Sequence, residues 1–216
     1  MPGPLKFETP SERTQRLLFY LACAALAGWM LWVALHPWRA FLVDRVNKDF
    51  GLWSLRFLFA CLMLSPLSRI LKVPALRRWR RPLGLAAFAF ALIHTVHFLL
   101  WGRIWPDRLN VLIIRPYLTI GTVALVLFVP LALTSNDAMV RKVTPRRWRL
   151  LHLLVYPVAI LSVVHEVMAY GPLKGEAGLY SVLTILLTGL RLALGRKGPA
   201  AKPRRPRALE AATPAG

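Results

Sequence analysis

The sequence is short of acid. Nine Asp and Glu stand against 29 Lys and Arg in 216 residues, a formal charge of +20, and charged residues of every kind make up only 18%. Soluble domains carry about 25% charged residues. The smaller share here, beside 56% hydrophobic residues and a mean hydropathy of +0.50, excludes an ordinary soluble basic protein. Also missing are the alternating segments of about ten residues that mark a membrane β-barrel. The apolar residues come in solid blocks, and those blocks hold no paired acidic residues of the kind that proton-relaying transporters use. No internal repeat is evident. The two cysteines, Cys23 and Cys61, fall in the middle of different blocks, read as small buried hydrophobes, and say nothing of redox compartment.

What is present is six apolar blocks: Leu17–His36, Gly51–Ser68, Pro82–Trp101, Pro116–Thr134, Leu150–Tyr170 and Gly178–Leu194. A helix crosses a bilayer core with about 20 mostly apolar residues, within a range of roughly 17–25. The expected fold is therefore all-α, an integral membrane bundle of six transmembrane helices over residues 17–194. Residues 1–16 form a cytoplasmic N-terminal segment, and residues 195–216 form a basic, disordered, cytoplasmic tail. Trp32, Trp38, Trp53, Trp79, Trp101, Trp105 and Trp148 lie at or near block ends, where amphipathic rings gather at a membrane interface. The first block is longer than a signal-peptide core and no small-x-small cleavage site follows it, so it reads as a retained span.

The basic residues supply the orientation. With the N-terminus inside, 21 of the 29 fall in the inner segments, grouped around Lys6–Arg16, Arg69–Arg81, Arg141–Arg149 and Arg191–Arg207. Seven fall outside: Arg39, Arg45, Lys48, Arg103, Arg108, Arg115 and Lys174. Positive charge in short loops stays cytoplasmic, so both termini are expected inside the bacterial inner membrane. Charges spread in this way are topology signals rather than one groove-facing patch, which argues against nucleic acid as a partner; the partner of the surface is the lipid bilayer. Arg191, at the inner end of the sixth block, is counted with the inner segments, which leaves Arg56 as the one basic residue inside a span that the loop count does not absorb.

Ionisable groups at membrane depth cost several kcal/mol unless something compensates them. The candidates are Arg56, His94, His97, His152, His165 and Glu166. His36, beside Pro37 and Trp38, reads as interfacial, and so does Glu166. His94 and His97 lie one turn apart in the third block, and His165 lies 13 residues beyond His152 in the fifth. The third and fifth helices run in the same direction, so His94 and His165 reach a similar depth in the outer half, with His152 near the inner face. Two imidazoles offered by two helices at one depth suit a haem iron, which takes axial imidazole ligands. The competing reading is that the histidines hydrogen-bond across helices. His152 and His165 are about 140° apart on an ideal helix, so they face one partner only if the helix bends, as Pro157 between them allows. Arg56 is read either as snorkelling to the interface or as the ionic partner of a haem propionate.

Several segments carry a family resemblance: Gly51-Leu52-Trp53-Ser54-Leu55-Arg56-Phe57, Arg81-Pro82-Leu83-Gly84-Leu85 leading to His94, Arg115-Pro116-Tyr117-Leu118-Thr119-Ile120-Gly121, Pro130-Leu131-Ala132-Leu133-Thr134-Ser135, and Trp148-Arg149-Leu150-Leu151-His152-Leu153-Leu154-Val155-Tyr156. In order, over roughly residues 51–170, they resemble the MsrQ family, formerly YedZ, within the ferric-reductase-like transmembrane group. These are the haem-binding membrane subunits of bacterial methionine-sulfoxide reductase systems. The resemblance implies that His94, His152 and His165 are the haem b (metal-ligating) histidines, and that FMN binds. It implies an electron donor that is a cytoplasmic flavin reductase or the quinone pool. The acceptor would be a periplasmic MsrP-like molybdopterin subunit, which performs the sulfoxide chemistry. Two-haem relatives carry a further histidine 13 or 14 residues before the outer one of the third helix, where this chain has Arg80 and Arg81. One haem on His94 and His165 is the first expectation; a second, on His152 with an unusual partner, stays open, and His97 ranks behind His94. The rival functions are a haem relay with another acceptor, such as a ferric or quinone reductase, and a haem-free six-span transporter.

Overall fold

The computed structural model describes residues 10–35, 43–101, 114–142, 144–171 and 176–195. His36, Trp38, Trp105, the loop cations Arg39, Arg103, Arg108 and Lys174, and the tail beyond Gly195 lie outside the described residues. The described chain is all helical: α1 (Pro10–Leu35), α2 (Val43–Ile70), α3 (Arg80–Trp101), α4 (Pro116–Leu133), two short helices α5 (Asp137–Lys142) and α6 (Pro145–Leu151), α7 (Val155–Tyr170) and α8 (Ala177–Gly195). A 3-10 turn over Pro74–Trp79 leads into α3, and another over His152–Leu154 joins α6 to α7.

Five of these segments are long and apolar enough to cross a membrane, with α6 and α7 joined as one span over Arg146–Tyr170; Gly178–Leu187 of α8 is a shorter apolar stretch. The protein is a multi-pass membrane bundle. Helix ends fall within a few residues of the apolar blocks except at the starts of α1, seven residues before Leu17, and of α2, eight residues before Gly51. The polar opening of α2, Val43 to Phe50, is helical because Val46 and Phe50, one turn apart, bury themselves against α1 and α3.

Lipid tails are as apolar as leucine, so association of the spans rests on close packing and interhelical hydrogen bonds rather than on a hydrophobic drive. α2 is the central helix, with 39% of its span buried inside the protein against 17% for α1. It packs antiparallel to α3, where the fully buried Ala87 lets the two backbones approach and accepts a 2.8 Å hydrogen bond from Ser54 Oγ. At the far end of that pair Cys61 Sγ donates to the carbonyl of Arg80. α4 forms a second antiparallel pair with α7, and α3 joins the pairs along α4 through the edge-on contact of Phe88 and Phe128. α1 lies outside α2 and α3, and α8 lies against α7 and α2. Two antiparallel pairs joined in this way make α3 and α7 parallel, as the sequence required.

The 3-10 turn before α7 has a covalent cause. Pro157 has no amide hydrogen and its ring crowds the carbonyl four residues back, at Leu153. The chain therefore tightens over His152–Leu154 before the α-helix proper begins.

Candidate functional site

At the end of the bundle holding the N-terminal turns of α2 and α4 and the C-terminal turns of α3 and α7, the four helices part around a cavity of about 560 Å³. Its floor is apolar, with Leu55, Ala91, Ala124, Leu125 and Phe128; its mouth carries Asp44, Lys48, His97, Arg115, Glu166 and Tyr170. That size and the mix of apolar wall with a few converging polar groups match sites that enclose a small molecule.

His94 from α3 and His165 from α7 both line this cavity, their ring centroids 6.2 Å apart and their planes at 81°. Each ring is fixed through Nδ1. That of His94 donates to the backbone carbonyl of Asn47 at 2.8 Å, and that of His165 to the backbone carbonyl of Tyr117 at 2.7 Å. With Nδ1 committed, the nitrogen left for a metal on both rings is Nε2. A centroid separation of 6.2 Å leaves room for a single metal atom with one bond of about 2 Å to each ring. Among the described residues no group of three or more His, Cys, Asp or Glu side chains converges to hold a bare ion. Two histidines suffice for a haem iron, whose remaining ligands come from the porphyrin. The donor set, the spacing and the cavity therefore fit a haem.

The remaining sequence candidates separate. His97, one turn from His94, is buried, and its Nδ1 donates to the side-chain Oδ1 of Asn47 at 3.2 Å while its ring lies against Phe50. His152 lies at the opposite end of the bundle, in the 3-10 turn. Its ring stacks on Trp148 at 4.0 Å and its Nδ1 donates to the Trp148 carbonyl, with no second histidine brought to it among the described residues. Arg56 does not reach the cavity. Its guanidinium forms a two-point contact with the Glu176 carboxylate, which also accepts from the Tyr180 hydroxyl, and lies over the Trp53 ring. The cations that do line the cavity are Lys48, which rests 3.9 Å over the Tyr170 ring, and Arg115. Glu166, expected at the interface, is instead 5% exposed on the cavity wall, because it continues the inward stripe of Ala159 and Val163 on α7. The Arg56 guanidinium holds the Glu176 carboxyl below its ordinary range, with a further contribution from the Tyr180 hydroxyl.

Asn47, Gly51, Tyr117 and Gly121 escaped the sequence reading as site residues. They hold the histidines through backbone carbonyls and through the absence of a side chain, neither of which is visible in residue chemistry.

Comparison with known proteins rests on the same helices. Residues 50–163 match the model of the ferric reductase like transmembrane component family. A protein of Caulobacter vibrioides is 33% identical over 180 residues, covering 76% of this chain and 81% of the relative; its name is protein-methionine-sulfoxide reductase heme-binding subunit MsrQ. The chain belongs to the MsrQ family. Relatives of the same name in Xanthomonas campestris pv. campestris and Xanthomonas euvesicatoria pv. vesicatoria are each 35% identical, each covering 80% of this chain and 81% of the relative. The stretch of this MsrQ-family chain matched by the ferric reductase model runs from Phe50, beside the Gly51 that lines the cavity with His94, almost to His165.

Proposed function

We propose that the protein is a transmembrane electron-transfer subunit. It carries electrons through haem b from a cytoplasmic flavin reductase or the quinone pool to a periplasmic molybdopterin methionine-sulfoxide reductase. The observation that carries this reading is the facing pair His94 and His165, each oriented by a backbone carbonyl, lining a haem-sized cavity. Bound there, haem b supplies a one-electron carrier enclosed by protein.

The chain's own groups do the rest. His94 and His165 would hold the haem iron through Nε2. Lys48 and Arg115, the cations on the cavity wall, are placed for the propionates. Leu55, Ala124 and Phe128 exclude water from the floor, and burial together with the two imidazoles sets the potential. The basic segments Arg77–Arg81 and Arg146–Arg149 lie at the opposite end of the bundle from the cavity. By the positive-inside rule that end is cytoplasmic, which puts the cavity in the periplasmic half of the inner membrane, facing the acceptor. An FMN, and a second haem on His152, rest on the family resemblance alone.

The test is a reduced-minus-oxidised spectrum of the purified protein with a pyridine haemochrome count. One b-type haem per chain is expected, lost in His94→Ala and in His165→Ala and kept in His97→Ala. A protein without a b-type signal, or one that loses haem only in His97→Ala, overturns the assignment. Transfer of electrons to a periplasmic molybdopterin sulfoxide reductase, against ferric iron or a quinone as alternative acceptors, separates this function from other relays of the group.

A further inference from the structure

The two histidines are held by the same device, used twice. In an α-helix the carbonyl of residue i accepts the amide of residue i+4. The carbonyl that accepts from His94 belongs to Asn47, whose i+4 residue is Gly51; the carbonyl that accepts from His165 belongs to Tyr117, whose i+4 residue is Gly121. A helical Cα–Cβ bond tilts towards the N-terminus, so a side chain at i+4 overhangs the carbonyl at i and crowds a bulky second donor such as an imidazole ring, although a slim hydroxyl still fits, as that of Ser54 does on the Ala87 carbonyl with Ala91 at i+4. Glycine leaves the carbonyl bare. A Cβ added at Gly51 would lie 3.3 Å from both Cε1 and Nδ1 of His94. One added at Gly121 would lie 2.7 Å from Nδ1 and 2.9 Å from Cε1 of His165, closer than real side chains come. Gly84 repeats the arrangement without the crowding: it stands one turn beyond Arg80, whose carbonyl accepts from Cys61 Sγ, and a Cβ there would meet that sulfur at an ordinary contact distance of 3.7 Å, while Gly28 and Gly189 would meet nothing within 4 Å.

We propose that Gly51 and Gly121 are paired positioning residues for the two axial ligands. Each uncovers the helix carbonyl one turn upstream, so that the neighbouring histidine locks its proton on Nδ1 and turns Nε2 to the iron. The inference rests on the haem reading above and adds to it the residues that set ligand tautomer, ring orientation and ligand basicity. A ligating imidazole whose far N–H donates to a carbonyl is a stronger base, which favours ferric over ferrous iron and lowers the midpoint potential.

The device also makes a prediction opposite in sign to helix propensity. Ala is favoured over Gly in a helix interior by about 1 kcal/mol, so a merely structural Gly→Ala change stabilises, and Gly28→Ala serves as that control. Gly121→Ala and Gly51→Ala push the ring off its carbonyl and weaken the N–H donation. The expected readout is a raised midpoint potential and altered ferric low-spin electron paramagnetic resonance. The change is larger for Gly121→Ala, where the approach is closer, and extends there to partial loss of haem; Gly28→Ala keeps the wild-type values. Glycine variants that bind haem with wild-type potential and spectrum, or a Gly28→Ala shift of equal size, overturn the proposal while leaving the haem assignment standing. A wild-type protein without haem removes both. A measurement on the unmodified protein guards against variants that fail to fold. Proton electron-nuclear double resonance of the ferric wild-type protein, after transfer to deuterium oxide, should show one slowly exchanging Nδ1 proton on each of two axial imidazoles. Rapid exchange of both, or an unprotonated Nδ1, refutes it.

Discussion

Replacing Arg56 with Leu separates two roles for the one cation that the loop charges do not explain. The structure pairs Arg56 with Glu176, tying the middle of α2 to the start of α8, with the two side chains about a third exposed (36% and 35%). Fully exposed pairs contribute about 0.2–1 kcal/mol, and breaking a buried pair costs about 3–5 kcal/mol. The two-point geometry places this one near the top of the exposed range, and Tyr180 keeps its bond to Glu176 when Arg56 is gone. A coupling of about 1 kcal/mol is therefore expected from a double-mutant cycle of Arg56→Leu and Glu176→Gln, read by unfolding in mild detergent. The coupling depends on pH in a fixed direction. Arg56 depresses the Glu176 pKa, so the stabilisation is complete above the unfolded carboxyl value of about 4.3. It is lost as pH falls through the lower, folded value. Haem content and midpoint potential of Arg56→Leu should equal those of the wild type. A shifted potential with no coupling to Glu176 would refute the reasoning and return Arg56 to a haem propionate.

Three further outcomes follow from the packing. Ser54→Ala removes the buried bond to the Ala87 carbonyl and should cost about 0.6 kcal/mol, the average for a hydrogen bond between membrane helices; thermal unfolding in detergent measures it. Trp148→Ala deletes the ring beneath His152 and the Nε1 donation to the Thr134 carbonyl at 3.2 Å. It should lower stability by about 1 kcal/mol or more while leaving the b-type spectrum unchanged, because this contact sits at the far end from the cavity. Lys48→Leu combined with Arg115→Leu should speed haem loss to a competing apoprotein, with the low-spin signature of two histidine ligands retained in the haem that remains.

The histidine pair shows how much of the site was legible. That they share a depth followed from the block boundaries, because a helix advances a fixed 1.5 Å per residue, and the 6.2 Å approach of His94 and His165 agrees with it. Azimuth was not legible to the same degree. Which way Glu166, Arg56 or His97 points depends on where each helix leans on its neighbours, and a single chain pattern does not encode that. Glu166 looked interfacial by its place near the end of a block, yet the buried stripe of α7 carries it inward. Arg56, isolated in a span, read as snorkelling to the interface or as the partner of a propionate, yet it pairs with Glu176, 120 residues away in sequence.

By itself the sequence determined the membrane class and the order of the apolar helices, since those follow from hydropathy, helix rise and the cost of burying charge; of the six blocks expected to span, five are long and apolar enough among the described residues and the sixth is a shorter apolar stretch. It also presented the two histidines that meet. Only the tertiary structure decided what orients them. The Asn47 and Tyr117 carbonyls exist in every residue, and Gly51 and Gly121 contribute by what they lack. Their role appears only when a second helix brings a ring against the bare turn, because the hydrogen bond is made between helices and not along one.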